Sequence, residues 1–188
     1  NDELRRRVLQ KLPSLLYASA GSLLPDRVEL EELTGSREPT WDGDQDHADQ
    51  IGLRALAGLL GLRADADSTE EASALSAHLP ARVSRMNRIL HDLDFPHQLA
   101  ISSEHGLLRI MVRGERGTKS VAKLPPARRM QLTLDLRIAD AHERSGVAPI
   151  LLLDAPGKAF KGGVEGAAWL ALIVGCGGLL FGNQSPAE

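Results

Sequence analysis

The sequence predicts an α/β fold, a mixed sheet of parallel core strands and a β-hairpin flanked by helices. Three observations predict it. Pro149-Ile150-Leu151-Leu152-Leu153 is an unbroken apolar run that ends in Asp154, and parallel strands covered on both faces read as continuous apolar runs rather than alternating ones. A helical pattern over Arg128–Arg144 precedes that run, another near Val164–Val174 follows it, and Leu179–Phe181 then reads as a strand. Helix, strand, helix, strand implies a parallel pair in one sheet. Finally, Gln98–Ser103 and Leu107–Arg113 flank Glu104-His105-Gly106, which is a hairpin signal.

The 188 residues carry a formal net charge of -3, with 43% hydrophobic and 25% charged residues, an ordinary globular composition for one domain or one large lobe. Aromatics make up only 3%, so Leu and Ala carry the core. The charge offers no whole-chain case for nucleic acid, and the short clusters Arg5-Arg6-Arg7 and Arg128-Arg129 read as solvated faces. Cys176 is the only cysteine, which rules out an internal disulfide and leads us to expect a reducing compartment, the cytoplasm. Asn1-Asp2-Glu3-Leu4-Arg5 has no signal-peptide pattern and no initiator Met, so a fragment or a processed chain is expected. Gly166–Gly182 is uncharged but short of a bilayer span and rich in glycine; a buried helix and strand explain it better than a membrane.

From the start, residues 1–12 are helical in pattern with Leu4, Val8 and Leu9 on one face, and Pro13 ends the element. Leu15-Leu16-Tyr17 reads as a short buried strand, and Arg27–Leu30 as another after a loop. Asp42, Asp44 and Asp46 have the opening spacing of a calcium loop, but His47 stands where its glycine belongs and Leu53 where its last acid belongs. A helix with Ile51, Leu56, Leu59 and Leu60 follows, and Gly61 stops it. Ser68-Thr69-Glu70-Glu71 looks like a capping box for a helix reaching Leu93, which Pro80 should interrupt or restart. His91, Asp92, Asp94 and His97 have the residue types of a metal site without its spacing, and read as polar residues at a helix terminus. Residues 119–124 could add a third antiparallel strand. The Arg128–Arg144 helix places Met130, Leu134, Ile138 and Ala141 on one face.

With these segments in order, the chain resembles the C-terminal half of an ABC-type ATPase head of the SMC, RecF and OLD-like group. Leu12–Tyr17 with Leu24–Val28 is similar to the strand and loop after that family's coiled coil. His97–Val112 is similar to the β-segment before its signature helix, Pro149–Pro156 to its Walker B strand, and Leu179–Pro186 to the strand that ends in its switch histidine. The resemblance implies one α/β unit over residues 1–188. Residues 1–96 form a mainly helical part with a short strand, and residues 97–188 hold the hairpin, the signature-like helix and the Walker-B-like strand.

The resemblance also assigns candidate site residues. Asp154 falls at the Mg²⁺-holding position and Gln184 at the switch-histidine position, while Ala127, Arg128 and Gln131 stand where the signature helix would meet a nucleotide. The pattern is degenerate. Ala155 replaces the glutamate that would position water, Ala127 lacks the signature serine's hydroxyl, and Arg129 has a long side chain where a backbone should approach closely. Gly114–Ser120 has the wrong spacing for a phosphate loop, Gly-x-x-x-x-Gly-Lys. Phosphoryl transfer needs positioned charge and an oriented nucleophile, so ATP and Mg²⁺ are not expected to bind this chain alone tightly, and it is expected to be inactive alone. The expected role is structural or regulatory within a larger assembly, in DNA repair or defence, with nucleic acid reached through that assembly. The alternatives are an active ATPase whose phosphate loop lies in a missing N-terminal half, and a protein-binding α/β domain without a nucleotide role. Val8, Leu15, Leu16 and Val164–Val174 suggest more apolar surface than half a head buries, so a protein partner or homodimer is expected, and no membrane.

Overall fold

The computed structural model describes residues 13, 15–18, 23–30, 33, 46–62, 72–114, 117–153 and 180–182. In chain order the elements are β1 (Leu15–Ala18), β2 (Arg27–Glu29), α1 (Asp46–Leu59), α2 (Ala72–Asp92), β3 (Gln98–Glu104), β4 (Leu107–Gly114), β5 (Gly117–Ser120), a 3-10 turn (Val121–Lys123), α3 (Pro126–Ser145), β6 (Ile150–Leu153) and β7 (Leu180–Gly182).

The chain is α/β, but its described strands divide between two sheets instead of sharing one mixed sheet. One is parallel, in the order β1-β6-β7. Leu151, Leu152 and Leu153 of β6 pair with Leu180, Phe181 and Gly182 of β7, so the two apolar runs are neighbouring parallel strands, as their continuity predicts. On its other edge β6 pairs with β1, Leu15 opposite Ile150 through Ala18 opposite Leu153.

The other sheet is antiparallel, with β4 at its centre. Leu107–Arg113 pair with β3; on the far side of β4, β2 pairs with Arg109–Leu107 and β5 with Met111–Gly114. The β3–β4 loop holds His105 and Gly106 at φ of 52° and 80°, and positive φ at both central residues is the type I′ turn that matches the twist of paired strands. Alternation then sets the faces: Leu108, Ile110 and Val112 are buried while Arg109 and Arg113 are exposed. In this register Leu99, opposite Val112, presents its backbone to the open edge of β3. The Asn87 side chain of α2 covers it, accepting from Leu99 N–H at 2.8 Å and donating to Leu99 C=O at 2.8 Å. The expected strand over 119–124 ends early: β5 stops at Ser120, whose hydroxyl accepts from Ala122 N–H at 3.2 Å and donates to Asp26 at 2.9 Å, starting the 3-10 turn.

The helix ends follow from backbone geometry. Gly61 (φ 66°) closes α1, with Leu62 N–H on Ala57 C=O and Gly61 N–H on Gly58 C=O, the pair of bonds that satisfies orphan carbonyls beyond a left-handed residue. Arg82 of α2 donates to the last carbonyls of the same terminus, Leu60 at 3.0 Å and Gly61 at 2.6 Å. Asp94 (φ 57°) ends α2 in the same way, with Phe95 N–H on Leu90 C=O. Pro80 does not interrupt α2, contrary to the sequence expectation; the helix runs through it. Pro80 is exposed, so water can hydrate the carbonyl one turn back that loses its N–H partner.

Helix α3 is the centre of the molecule. The periodicity of the sequence gives it one apolar face. Instead, every residue from Leu132 to Ala141 is buried, including Thr133, Asp135, Arg137 and Asp140. It packs against α1, α2 and β1. Leu16 and Leu151 of the parallel sheet share one apolar core with Leu108 and Ile110 of the antiparallel sheet and with Leu132, Leu134 and Leu136 of α3.

Candidate functional site

The expected site residues fall in two groups. Asp154, Ala155 and Gln184 lie outside the described residues; Asp154 is the residue that follows Leu153, the last of β6. Ala127, Arg128 and Gln131 occupy the first turns of α3, all half-buried. Pro125 and Pro126 begin that helix, and proline suits its first position because the missing N–H would be unsatisfied there anyway.

What the first turns do is set by Arg129 and Thr133, one helical turn apart. Arg129 Nη2 donates to the carbonyl of Leu24 at 2.9 Å. Thr133 Oγ1 accepts from Leu24 N–H at 3.0 Å and donates to the Arg129 carbonyl at 2.9 Å. Both backbone groups of the fully buried Leu24 are thus held by α3. The segment entering β2 is tied to the helix, and a buried amide and carbonyl that would otherwise cost free energy are satisfied. Gly52 lets α1 close on this clamp: a Cβ there would meet the Thr133 methyl at 3.0 Å. The long side chain of Arg129, which departs from the signature pattern, is turned inward as a backbone anchor.

A second polar contact crosses from α3 to the antiparallel sheet. His97 Nδ1 lies 2.9 Å from Asp135 Oδ2, with the two side chains 8% and 0% exposed. Against an ionised Asp135, which only accepts, Nδ1 is the donor of this contact. The polar group expected at the end of α2 therefore splits. His91 and Asp92 are exposed, 3.6 Å apart, and Asp94 is exposed in the turn, as a solvated terminus requires. His97 instead enters the core. Among the described residues no three His, Cys, Asp or Glu side chains gather as a metal site.

Farther along α3, Asp140 is 5% exposed and pairs with Arg144 at 3.1 Å. Arg137 is equally buried, and burial lowers its pKa to about 10. Neither the His97–Asp135 pair nor Arg137 was expected from sequence. The available signal was the interruption of an apolar helix by Asp135, Arg137 and Asp140, which reads as an outer face if the helix lies at the surface and as buried charge only if it lies at the centre.

Among the described residues no helix is long and apolar enough to cross a membrane. Of the apolar surface expected to need a partner, Leu16 is buried in the chain's own core, Leu15 is 63% exposed, and Val8 and 164–174 lie outside the described residues. No protein-family model, curated protein or solved structure matches this chain.

Proposed function

We propose that the chain is a non-catalytic, ATPase-like lobe of the ABC-type group, with a structural or regulatory role in a larger assembly. The observation that carries this reading is the β1-β6-β7 parallel sheet, with helix α3 immediately before its central strand. That is the arrangement the Walker-B-like and switch-like segments require, since ligands of open α/β sheets bind beyond the carboxyl ends of the strands, where Asp154 follows β6. The start of α3 favours the non-catalytic form. Arg129 is spent on the Leu24 carbonyl, and Ala127 has no hydroxyl to offer a phosphate. With Ala155 in place of an acid, these residues do not fit a working Mg²⁺–ATP site.

A second reading keeps one specific support. Among the described residues β7 pairs only with β6, and no described strand lies on its other edge. A strand and phosphate loop supplied from elsewhere would make the lobe one half of an active ATPase. A DNA-repair or defence setting belongs to the same proposal. Equilibrium dialysis of the chain against labelled ATP with Mg²⁺ tests the leading reading. Negligible retention is expected, and saturable one-to-one retention abolished by Asp154→Asn would replace it with an intact nucleotide site.

A further inference from the structure

Arg137 carries a charge that nothing described neutralises. It is 5% exposed. Its Nε is sealed from solvent without a hydrogen-bond partner, and among the described residues its guanidinium makes no hydrogen bond or ion pair. The polar groups one turn away on the same side of α3 are engaged elsewhere: Thr133 with Leu24 and the Arg129 carbonyl, and Asp140 with Arg144. Arg129, whose Nε is also sealed and unbonded, has an anchor through Nη2; among the described residues Arg137 has none.

A buried ion is tolerated when it is paired or when it neutralises. Burial lowers the Arg137 pKa only to about 10, so at neutral pH the group remains a cation and does not escape by losing its proton. Pairing is the remaining route. A guanidinium presents a planar fork of donors that matches the oxygens of a phosphate or carboxylate two at a time, and such charge-assisted bonds are strongest where water is excluded. Only Nε is both sealed and unbonded, so the terminal nitrogens form the side from which a ligand can approach.

We propose that Arg137 is the receptor of a small oxyanion, a phosphate or carboxylate group bound to the inner face of α3. The proposal does not rest on the ATPase-like reading. Bound there, the anion would neutralise the one buried guanidinium of α3 that lacks any described anchor, and it would couple the stability of the central helix to the ligand.

Calorimetric titration of the full chain with inorganic phosphate, at ionic strength held constant with chloride, tests this alongside thermal melts. The wild type should bind one phosphate saturably, and its melting temperature should rise with phosphate as expected for a ligand that binds only the folded state. Arg137→Met, similar in length but uncharged, should bind at least tenfold more weakly and lose the phosphate-dependent shift. Arg137→Lys, which keeps the charge but not the fork, should fall between them. Acetate in a parallel titration distinguishes the sources: tighter binding than phosphate assigns a carboxylate, weaker binding a phosphate group. No saturable binding of either anion by the wild type would overturn the proposal. So would equal binding by wild type and Arg137→Met, which would mean an adventitious ion only. If Arg137→Met does not fold, Arg137→Lys decides: weakened binding supports the site and unchanged binding overturns it.

Discussion

The antiparallel and parallel sheets are assembled from opposite kinds of information. Strands β3, β4 and β5 follow one another within Gln98–Ser120, so the turn at His105-Gly106 and the alternation of Leu108, Ile110 and Val112 set both register and buried face. The parallel sheet joins Leu15–Ala18, Ile150–Leu153 and Leu180–Gly182, segments with most of the chain between them. Its apolar runs say that a strand is covered on both faces and has parallel neighbours. They do not say which helix covers it. What connects the two sheets is α3, through core contacts on one side and the His97–Asp135 pair on the other. Local pattern thus builds each piece, and one enclosed helix makes them a single body.

The largest expected effects test whether the two sheets share one cooperative core. Ile110→Ala in β4 and Leu151→Ala in β6 remove side chains that are 0% and 1% exposed. Each should cost about 2–5 kcal/mol, the range for large-to-small core changes. Denaturant unfolding followed by a probe on each sheet should give coincident transitions in both variants. Separate transitions would mean that each sheet has its own core.

The next effect concerns the contact that bridges the regions. His97→Ala removes the partner 2.9 Å from a fully buried carboxylate, and losing a hydrogen bond to a charged group of that kind should cost about 2–3 kcal/mol. Amide exchange should speed up in β3 and in the middle of α3 together. Faster exchange confined to β3 would show that the pair does not couple sheet to helix.

A smaller effect belongs to the antiparallel sheet alone. Asn87→Ala uncovers both Leu99 backbone groups on the open edge of β3 and should cost about 1–2 kcal/mol, with no change in the parallel sheet. Sedimentation should also detect more self-association, since exposed edge groups invite strand pairing. Arg85→Ala provides the lower bound. Its bridge to Glu143 is 62% and 39% exposed, so solvent screening should keep the loss below about 0.5 kcal/mol.

The hairpin, the stop at Gly61 and the helix before β6 were legible because each is written in neighbouring residues, and the parallel β6–β7 pair because each strand is a continuous apolar run. The enclosure of α3 was not. Periodicity ranks the faces of a helix by apolar content, and Met130, Leu134, Ile138 and Ala141 do form the most apolar one. It does not report that the remaining faces, with Asp135, Arg137 and Asp140, are covered as well. The Leu24 clamp joins residues 105 and 109 positions apart, a separation at which a single sequence has no register to read. His97 fell within a polar cluster whose other members stay in solvent, and only its burial against Asp135 of α3 separates it from them. The helical pattern over Arg128–Arg144 matches α3, Pro126–Ser145, while the inward use of Arg129 depends on where Leu24 lies.

In the proposed function the parallel sheet is an ATPase-like frame without working catalytic groups. Steady-state phosphate release by the purified chain with Mg²⁺ and ATP tests it most directly, with Asp154→Asn as the control. Release at background is expected, equal in both proteins, because Ala155 supplies no acid for the attacking water and Arg129 is committed to the Leu24 carbonyl. Turnover by the chain that disappears in Asp154→Asn would contradict it.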